Sequence, residues 1–361
     1  MIGRTDGMEY SEEERAIIGL CMTADESRLS VLARAFSELF DPLSGEKICV
    51  SMIEKAAKRV YKDEVLPSEA ERSAAIAGLE SHKMFAVTLV SADYPAGLRA
   101  ISDPPPVLYG MGNRALLRRR KFCIVGSRIL PAWAEQTGRR IASDLSRRFT
   151  IVTGIAEGGD RAAIDGALAG GNLICVLPNG LDVAYPAAHA SLQREVAKRG
   201  LLLSEYAPGV KTKKYAFHAR NRILAGLSEG VLILAAGARS GTLITAHCAL
   251  EYGRELFALP HNVGAAQGEG CNEMIKAGAW LCTCAGDIFA AYGMEAEEKP
   301  RAQLSEKEER LLAVLKEAGE LHAAVLAERA GIPVFEAQAI LSSLEMKGLA
   351  VRAGGNRFSA I

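Results

Sequence analysis

The chain of 361 residues predicts an α/β protein. Its core is an extended Rossmann-like, doubly wound parallel sheet, flanked by a small N-terminal helical (SAM-like) domain and a C-terminal winged helix. Three observations carry this. Short apolar runs between residues 121 and 259 do not alternate polar with apolar, so their strands are covered on both faces. Helical stretches separate them, as parallel strands require. Residues 303–361 instead combine three helical patterns with a terminal hairpin signal.

The elements follow in order. Residues 1–83 read as short helices, such as Ser11 to Cys21 and Arg28 to Leu39, broken at Asp41-Pro42 and Pro67-Ser68. This domain carries no chemical signature; it is either a duplex- or partner-binding module or scaffold. From Met84 to Val90 the pattern is strand-like. The turn-rich Ser102-Asp103-Pro104-Pro105-Pro106 then precedes Val107-Leu108-Tyr109, which sets a domain boundary near residue 84. The core, residues 84–294, places strands at Lys121–Val125, Thr150–Thr153, Leu173–Leu177, Leu201–Ser204, Val231–Ala235 and Glu255–Leu259, with helices such as Ala132–Arg148 and Gly241–Tyr252. A charged linker, Glu295 to Arg301, leads to helices at Ser305–Glu317, His322–Ala330 and Val334–Lys347 and a hairpin turning at Gly354-Gly355.

Composition narrows the function. Hydrophobic residues make up 49% of the chain and the formal net charge is zero, so affinity for a polyanion must come from a local basic face. No apolar run reaches the roughly 18 residues of a membrane span. The N-terminus, with Glu9, Glu12, Glu13 and Glu14, lacks the order of a signal peptide, so the expected location is the cytoplasm, with no membrane partner. Most of the eight cysteines lie in apolar or small-residue runs and read as reduced core thiols. Cys282-Thr283-Cys284 has no second pair at ligand spacing, the six histidines are dispersed, and no nucleophile elbow or phosphate-loop lysine occurs. No catalytic residue, metal or cofactor is expected.

In a doubly wound fold, ligands sit at the carboxyl ends of the strands, against helix N-termini. After the first core strand, Gly126 permits close backbone approach, Ser127 offers a hydroxyl and Arg128 a fork of donors. After the second, Gly154, Ala156, Gly158 and Gly159 leave backbone N–H groups for an anion nest, while Asp160 caps the next helix or fixes the loop and Glu157 faces solvent. Ser240, Gly241 and Thr242 open a further helix, with Thr245 one turn on. Lys211 to Lys214, Phe217 and Arg220-Asn221-Arg222 extend these loops into a positive groove with an aromatic at its rim, which suits a single nucleic-acid strand. Phe217 either stacks a base or fills the core.

The residues so assembled resemble the DNA-processing protein A family, also called Smf. The matching order is Tyr94-Pro95, Ser102 to Tyr109, Gly112-Asn113, Val125 to Arg128, Gly154 to Asp160, Gly180-Leu181-Asp182 with Tyr185-Pro186, Ser204 to Gly209, Phe217 with Arg220-Asn221-Arg222, and Ser240 to Ala246. The resemblance implies a cytoplasmic bacterial protein that binds single-stranded DNA, protects incoming transforming strands and loads the RecA recombinase onto them, as a homodimer through the core. It assigns strand binding to Gly126, Ser127, Arg128, the Gly154 to Asp160 loop, Lys211, Lys214, Phe217, Arg220, Asn221 and Arg222, with Ser240 to Thr245 in support. The chain departs from the family pattern at His218, Ile164, Ala207, Ala235 and His261. Two rivals are a phosphoribohydrolase-like enzyme and a free-nucleotide sensor. The enzyme needs carboxylates after the Gly-Thr pair, where this chain has Leu243 and Ile244.

Residues 303–361 carry seven Lys or Arg against eight Asp or Glu, and the expected recognition helix holds Glu336 and Glu345. A helix so charged is expected to be repelled by phosphates, which favours a protein-contact or regulatory role, with Arg352 and Arg357 on the wing as the only DNA-facing pair. Truncation after about residue 300 is expected to leave most single-strand affinity intact, measured by gel shift.

Overall fold

The computed structural model of the chain describes residues 9–24, 26–39, 48–61, 67–295 and 304–360. Ser11 and Ser68 each cap a helix by accepting the N–H of the glutamate three residues on, and that glutamate accepts the cap N–H in return. Helices α1 (Glu12–Thr23) and α4 (Glu69–Ser81) therefore start where they do. With α2 (Glu26–Leu39) and α3 (Val50–Tyr61) they bury Ile17, Leu32, Phe36 and Ile53 in a core continuous with that beneath the sheet. The Tyr10 hydroxyl accepts the Ala86 N–H at 3.0 Å, tying this layer to the first strand. The expected break at Asp41-Pro42 and most of the expected linker lie outside the described residues.

Two antiparallel strands, β1 (Phe85–Thr88) and β2 (Val107–Gly112), enclose the short α5 (Ala96–Arg99). The doubly wound part follows as β3 (Lys121–Val125), α6 (Ala132–Leu145), β4 (Thr150–Thr153), α7 (Gly159–Ala167), β5 (Leu173–Val176), α8 (Ala190–Arg199), β6 (Leu201–Ser204), α9 (Lys214–Leu227), β7 (Gly230–Ile233), α10 (Thr242–Glu251), β8 (Glu255–Ala258), α11 (Glu269–Lys276), β9 (Trp280–Leu281) and α12 (Ala285–Ala291). The sheet runs β1-β2-β6-β5-β4-β3-β7-β8-β9, and the strands from β6 to β9 are parallel. Strands β3 to β7 are buried throughout, which is why their sequences are apolar runs with polar residues only at their ends, Lys121, Thr150, Thr153 and Ser204.

From β3 the chain builds outward through β4, β5 and β6, then returns to lay β7 on the other side of β3. The switch point therefore lies between β3 and β7. Strand β7 stops at Ile233, short of the expected Ala235, because the Ala235 carbonyl leaves the ladder to accept the Ser127 N–H at 2.8 Å. The N-terminus of α7 presses against the turn after β3. A Cβ on Gly159 would fall 2.3 Å from the Gly126 nitrogen, and Gly158 takes a left-handed φ of 75°.

The described residues up to Met294 make one compact unit; those from Glu295 on make a second. The second holds α13 (Glu306–Ala318), β10 (Leu321–His322), α14 (Ala323–Ala330), α15 (Val334–Met346), β11 (Ala350–Ala353) and β12 (Arg357–Ala360), with sheet order β10-β12-β11. This is a winged helix around Leu311, Leu315, Leu326, Leu341 and Phe358. The Glu308 carboxylate accepts from Lys347, Ser305 and Ser343, which lowers its pKa to about 2. The repulsion expected from α15 is offset locally, since Glu336 pairs with Lys307 and Glu345 with Arg352. The wing arginines are likewise engaged: Arg352 with Glu345, and Arg357 with Glu320 at 2.6 Å.

Gly159→Ala is expected to lower unfolding free energy by about 1–3 kcal/mol, because backbone must move to admit the methyl group. Gly241→Ala, with open space around the new Cβ and a φ of −60°, is expected to leave it unchanged or slightly raised. Urea titration of both variants checks the pair.

Candidate nucleic-acid interface

A cleft of about 330 Å³ opens at the switch point, at the carboxyl ends of β3, β4 and β7. Gly126, Ser127, Arg128, Ala156, Asp160, Phe217, Arg220, Asn221, Ser240, Gly241, Thr242 and Thr245 all line it, with His218 beside them. One wall is a relay of hydroxyls. Ser127 Oγ donates to the Ala235 carbonyl at 3.0 Å and lies 3.3 Å from Ser240 Oγ, which donates to Thr242 Oγ1 at 3.1 Å. Ser240 Oγ also accepts the Thr242 N–H at 3.2 Å, so this helix start is capped from within.

The glycine loop is also partly self-satisfied. Rather than an open nest, it has Ala156 N–H donating to the Asp160 carboxylate at 3.1 Å and Gly159 N–H donating to the Ser127 carbonyl at 3.1 Å. Asp160 is therefore the residue that fixes the loop. Burial raises its pKa, opposed by the charge of Arg220 and the Ala156 N–H. Gly154 leaves room for this arrangement: a Cβ there would meet Asp160 Oδ2 at 2.2 Å. Gly158 caps α7 without a side chain. Glu157 is exposed, as expected, and its Oε1 also lies 2.7 Å from His189 Nε2.

The three functional positions on α9 separate because successive helical residues turn by about 100°. Arg220 is buried; it donates to the Val176 carbonyl at the end of β5 and to Asn221 Oδ1 at 3.3 Å. Asn221 reaches the Gly241 carbonyl at 3.5 Å. Arg222 does not line the cleft. It points to the other side of the helix, where it pairs with Glu205 at 2.5 Å and Asp103 at 3.0 Å. Burial raises the pKa of Glu205, opposed by Arg222.

At the mouth, the exposed Arg128 guanidinium lies 5.6 Å from the Phe217 ring centroid. Tyr185 contacts the same ring at 6.0 Å and is 51% exposed. Tyr185 stands in the segment Gly180-Leu181-Asp182 to Pro186, whose only signal in the sequence is its place in the family pattern. Lys211 and Lys214 are exposed and outside the lining; Lys214 opens α9 one turn before Phe217.

Among the described residues no group of three His, Cys, Asp or Glu side chains gathers as a metal site. No described helix is long and apolar enough to cross a membrane. Cys21, Cys123, Cys175, Cys271 and Cys282 are buried free thiols, whereas Cys49 and Cys284 are exposed.

Fold and cleft together define a Rossmann-like core with a hydroxyl- and arginine-lined switch-point site, followed along the chain by a winged helix. The chain belongs to the DNA recombination-mediator protein A family, whose model matches residues 85–293; the DprA winged helix domain matches residues 295–356. It is 39% identical over 214 residues to DNA processing protein DprA of Streptococcus pneumoniae R6, covering 59% of this chain and 76% of that one. Protein Smf of Escherichia coli K12 is 38% identical over 276 residues, 72% of this chain and 74% of that one. The X-ray structure of DNA processing protein A from Streptococcus pneumoniae superposes with a TM-score of 0.61 at 31% identity, covering 81% of this chain and all of that one. DNA processing protein A from Helicobacter pylori, solved for its single-stranded DNA binding mode, superposes with a TM-score of 0.52 at 30% identity, over 58% of this chain and 95% of that one.

Glu205→Ala is expected to be destabilising in chemical denaturation, by up to about 3–5 kcal/mol, because it removes the more buried of the two counter-charges of Arg222 and leaves only Asp103. Arg222→Ala is expected to be destabilising as well, while its folded fraction keeps wild-type affinity for an oligothymidylate.

Proposed function

We propose that the switch-point cleft binds single-stranded DNA without sequence preference and that the protein acts in DNA processing during transformation and recombination. The observation that carries this reading is the mouth of the cleft, where Arg128, Phe217 and Tyr185 form a cationic aromatic ledge beside the Ser127, Ser240 and Thr242 hydroxyls. Hydroxyls and guanidinium address phosphates, and an exposed ring stacks any base. Phe217 is held between Arg128 and Tyr185, so Tyr185 offers the more open face. Lys211 and Lys214 extend the charge along the strand's path.

We further propose that the protein is a homodimer of the cytoplasm that protects the strand and hands it to the RecA recombinase. Its role is binding rather than catalysis. The one carboxylate lining the cleft, Asp160, is engaged by Ala156 N–H, and apolar side chains occupy positions 243 and 244, where a phosphoribohydrolase needs acids. The membership of the family and its relative solved for single-stranded DNA binding support the reading.

The double variant Arg128→Ala, Lys214→Ala is expected to flatten the plot of log affinity against log salt by about 0.7 for each phosphate no longer neutralised. Tyr185→Ala and Phe217→Ala are each expected to weaken an oligothymidylate by about 1–3 kcal/mol. Fluorescence anisotropy across a salt series checks both. An unchanged slope in the double variant refutes the cleft as the strand site, and competition by a free nucleoside monophosphate at equal affinity supports the sensor instead.

A further inference from the structure

We infer that the opposite edge of the sheet is a second DNA surface, one that holds the phosphate backbone of a duplex. Parallel strands put every amino end on one edge, away from the cleft. On that edge, between β6 and β3, the residues that precede three of the four strands are basic, while β5 is preceded by Gly171 and Asn172. Arg118, Arg119 and Arg120 precede β3, Arg147 and Arg148 precede β4, and Lys198 and Arg199 precede β6; all seven are exposed.

Backbone pairing makes these segments neighbours. Thr150 N–H donates to the Arg120 carbonyl at 2.8 Å, and Ile151 N–H donates to the Asn172 carbonyl at 2.9 Å. Arg119 donates to the Asn172 side chain, whose amide reaches the Ser146 carbonyl at 2.9 Å. Four adjacent strands span about 14 Å at the usual spacing, so the clusters before β3 and β4 adjoin and the pair before β6 lies about 10 Å beyond, across the uncharged start of β5. The carboxylates facing it are fewer. Glu229 pairs with Arg120 at 2.6 Å, Glu195 approaches Arg199 at 3.8 Å, and Asp144 ends α6 in the turn before Arg147. Among the described residues, seven cations against these three acids leave the row more basic than the chain as a whole, whose formal net charge is zero.

The kind of polyanion follows from what the edge lacks. Its aromatic rings, Phe149 and Tyr292, lie beneath the Arg120 guanidinium at 4.9 and 5.8 Å, and neither is exposed for base stacking. A single strand therefore finds no platform here. No exposed large hydrophobic residue among those described lies in the row, so an acidic peptide finds no apolar anchor. A duplex needs neither: it presents a phosphate charge about every 1.7 Å of axis and binds to charge alone. The strands between the two surfaces are about 13–17 Å long, so both can be occupied together.

The test is fluorescence anisotropy of the full chain with a labelled short duplex of arbitrary sequence, after the cleft has been saturated with unlabelled oligothymidylate. The expected result is salt-sensitive duplex binding that Arg118→Gln, Arg119→Gln, Arg147→Gln with Arg148→Gln weakens about tenfold or more, lowering the salt slope by about 0.9 for each phosphate no longer neutralised. Oligothymidylate affinity and melting temperature stay at the wild-type values, which separates this surface from the cleft. Should the quadruple variant melt early, the pair Arg118→Gln, Arg148→Gln is expected to give a smaller effect in the same direction. Displacement of the duplex by oligothymidylate overturns the proposal, as does duplex binding that both variants leave unchanged. Absence of duplex binding, with polyglutamate binding abolished in the variant, assigns the edge to an acidic protein and equally overturns it.

Discussion

The buried charge of Arg220 ties together the elements that make the cleft. Its guanidinium comes from α9, donates to the last carbonyl of β5, and attracts the Asp160 carboxylate at the start of α7. Asp160 in turn holds the β4–α7 loop through Ala156. Burial opposes the charge on both partners, so each is tolerated only because the other is there. Gly154 and Gly159 leave the space this arrangement fills, since a side chain at either would displace it or the backbone beside it. Loop, helix and strand end are thereby fixed by the fold itself, which is the preorganisation that the proposed strand site calls for.

Around that fixed root the arginines divide the work. Arg128 is exposed and meets solvent over an aromatic ring, Arg220 is a buried tie, and Arg222 closes a separate buried network with Glu205 and Asp103. That network joins α9 to the segment between α5 and β2, remote from the hydroxyl relay. Two of the three arginines thus serve as scaffold, and one is presented at the mouth. The glycine loop follows the same pattern in part, with the Ala156 and Gly159 amides turned toward Asp160 and Ser127.

Charge outside the cleft is distributed with equal consequence. In the winged helix the acids of α15 and the arginines of the wing are paired within the unit, and its exposed large hydrophobic residues among those described are Val325, Val334, Phe335 and Met346. On the amino edge of the main sheet between β6 and β3, cations outnumber the acids placed beside them, and no exposed ring lies there among the described residues. A neutral total charge therefore conceals surfaces of different character, each suited to a different contact.

Much of this was legible in the sequence. Apolar runs without alternation declared a buried parallel sheet, and the glycine, serine and arginine following β3 marked a candidate ligand loop, because these signals act within a few residues of one another. The family pattern was legible for the same reason. Only the tertiary structure decided which way each polar group turns. Nothing local distinguishes Arg220 from Arg222, or an open nest from one filled by Asp160, and Tyr185 meets Phe217 across more than thirty residues of chain. Partners of that kind come from strand order and helix phase, which place distant segments side by side and determine whether a charge faces water or a buried counter-charge.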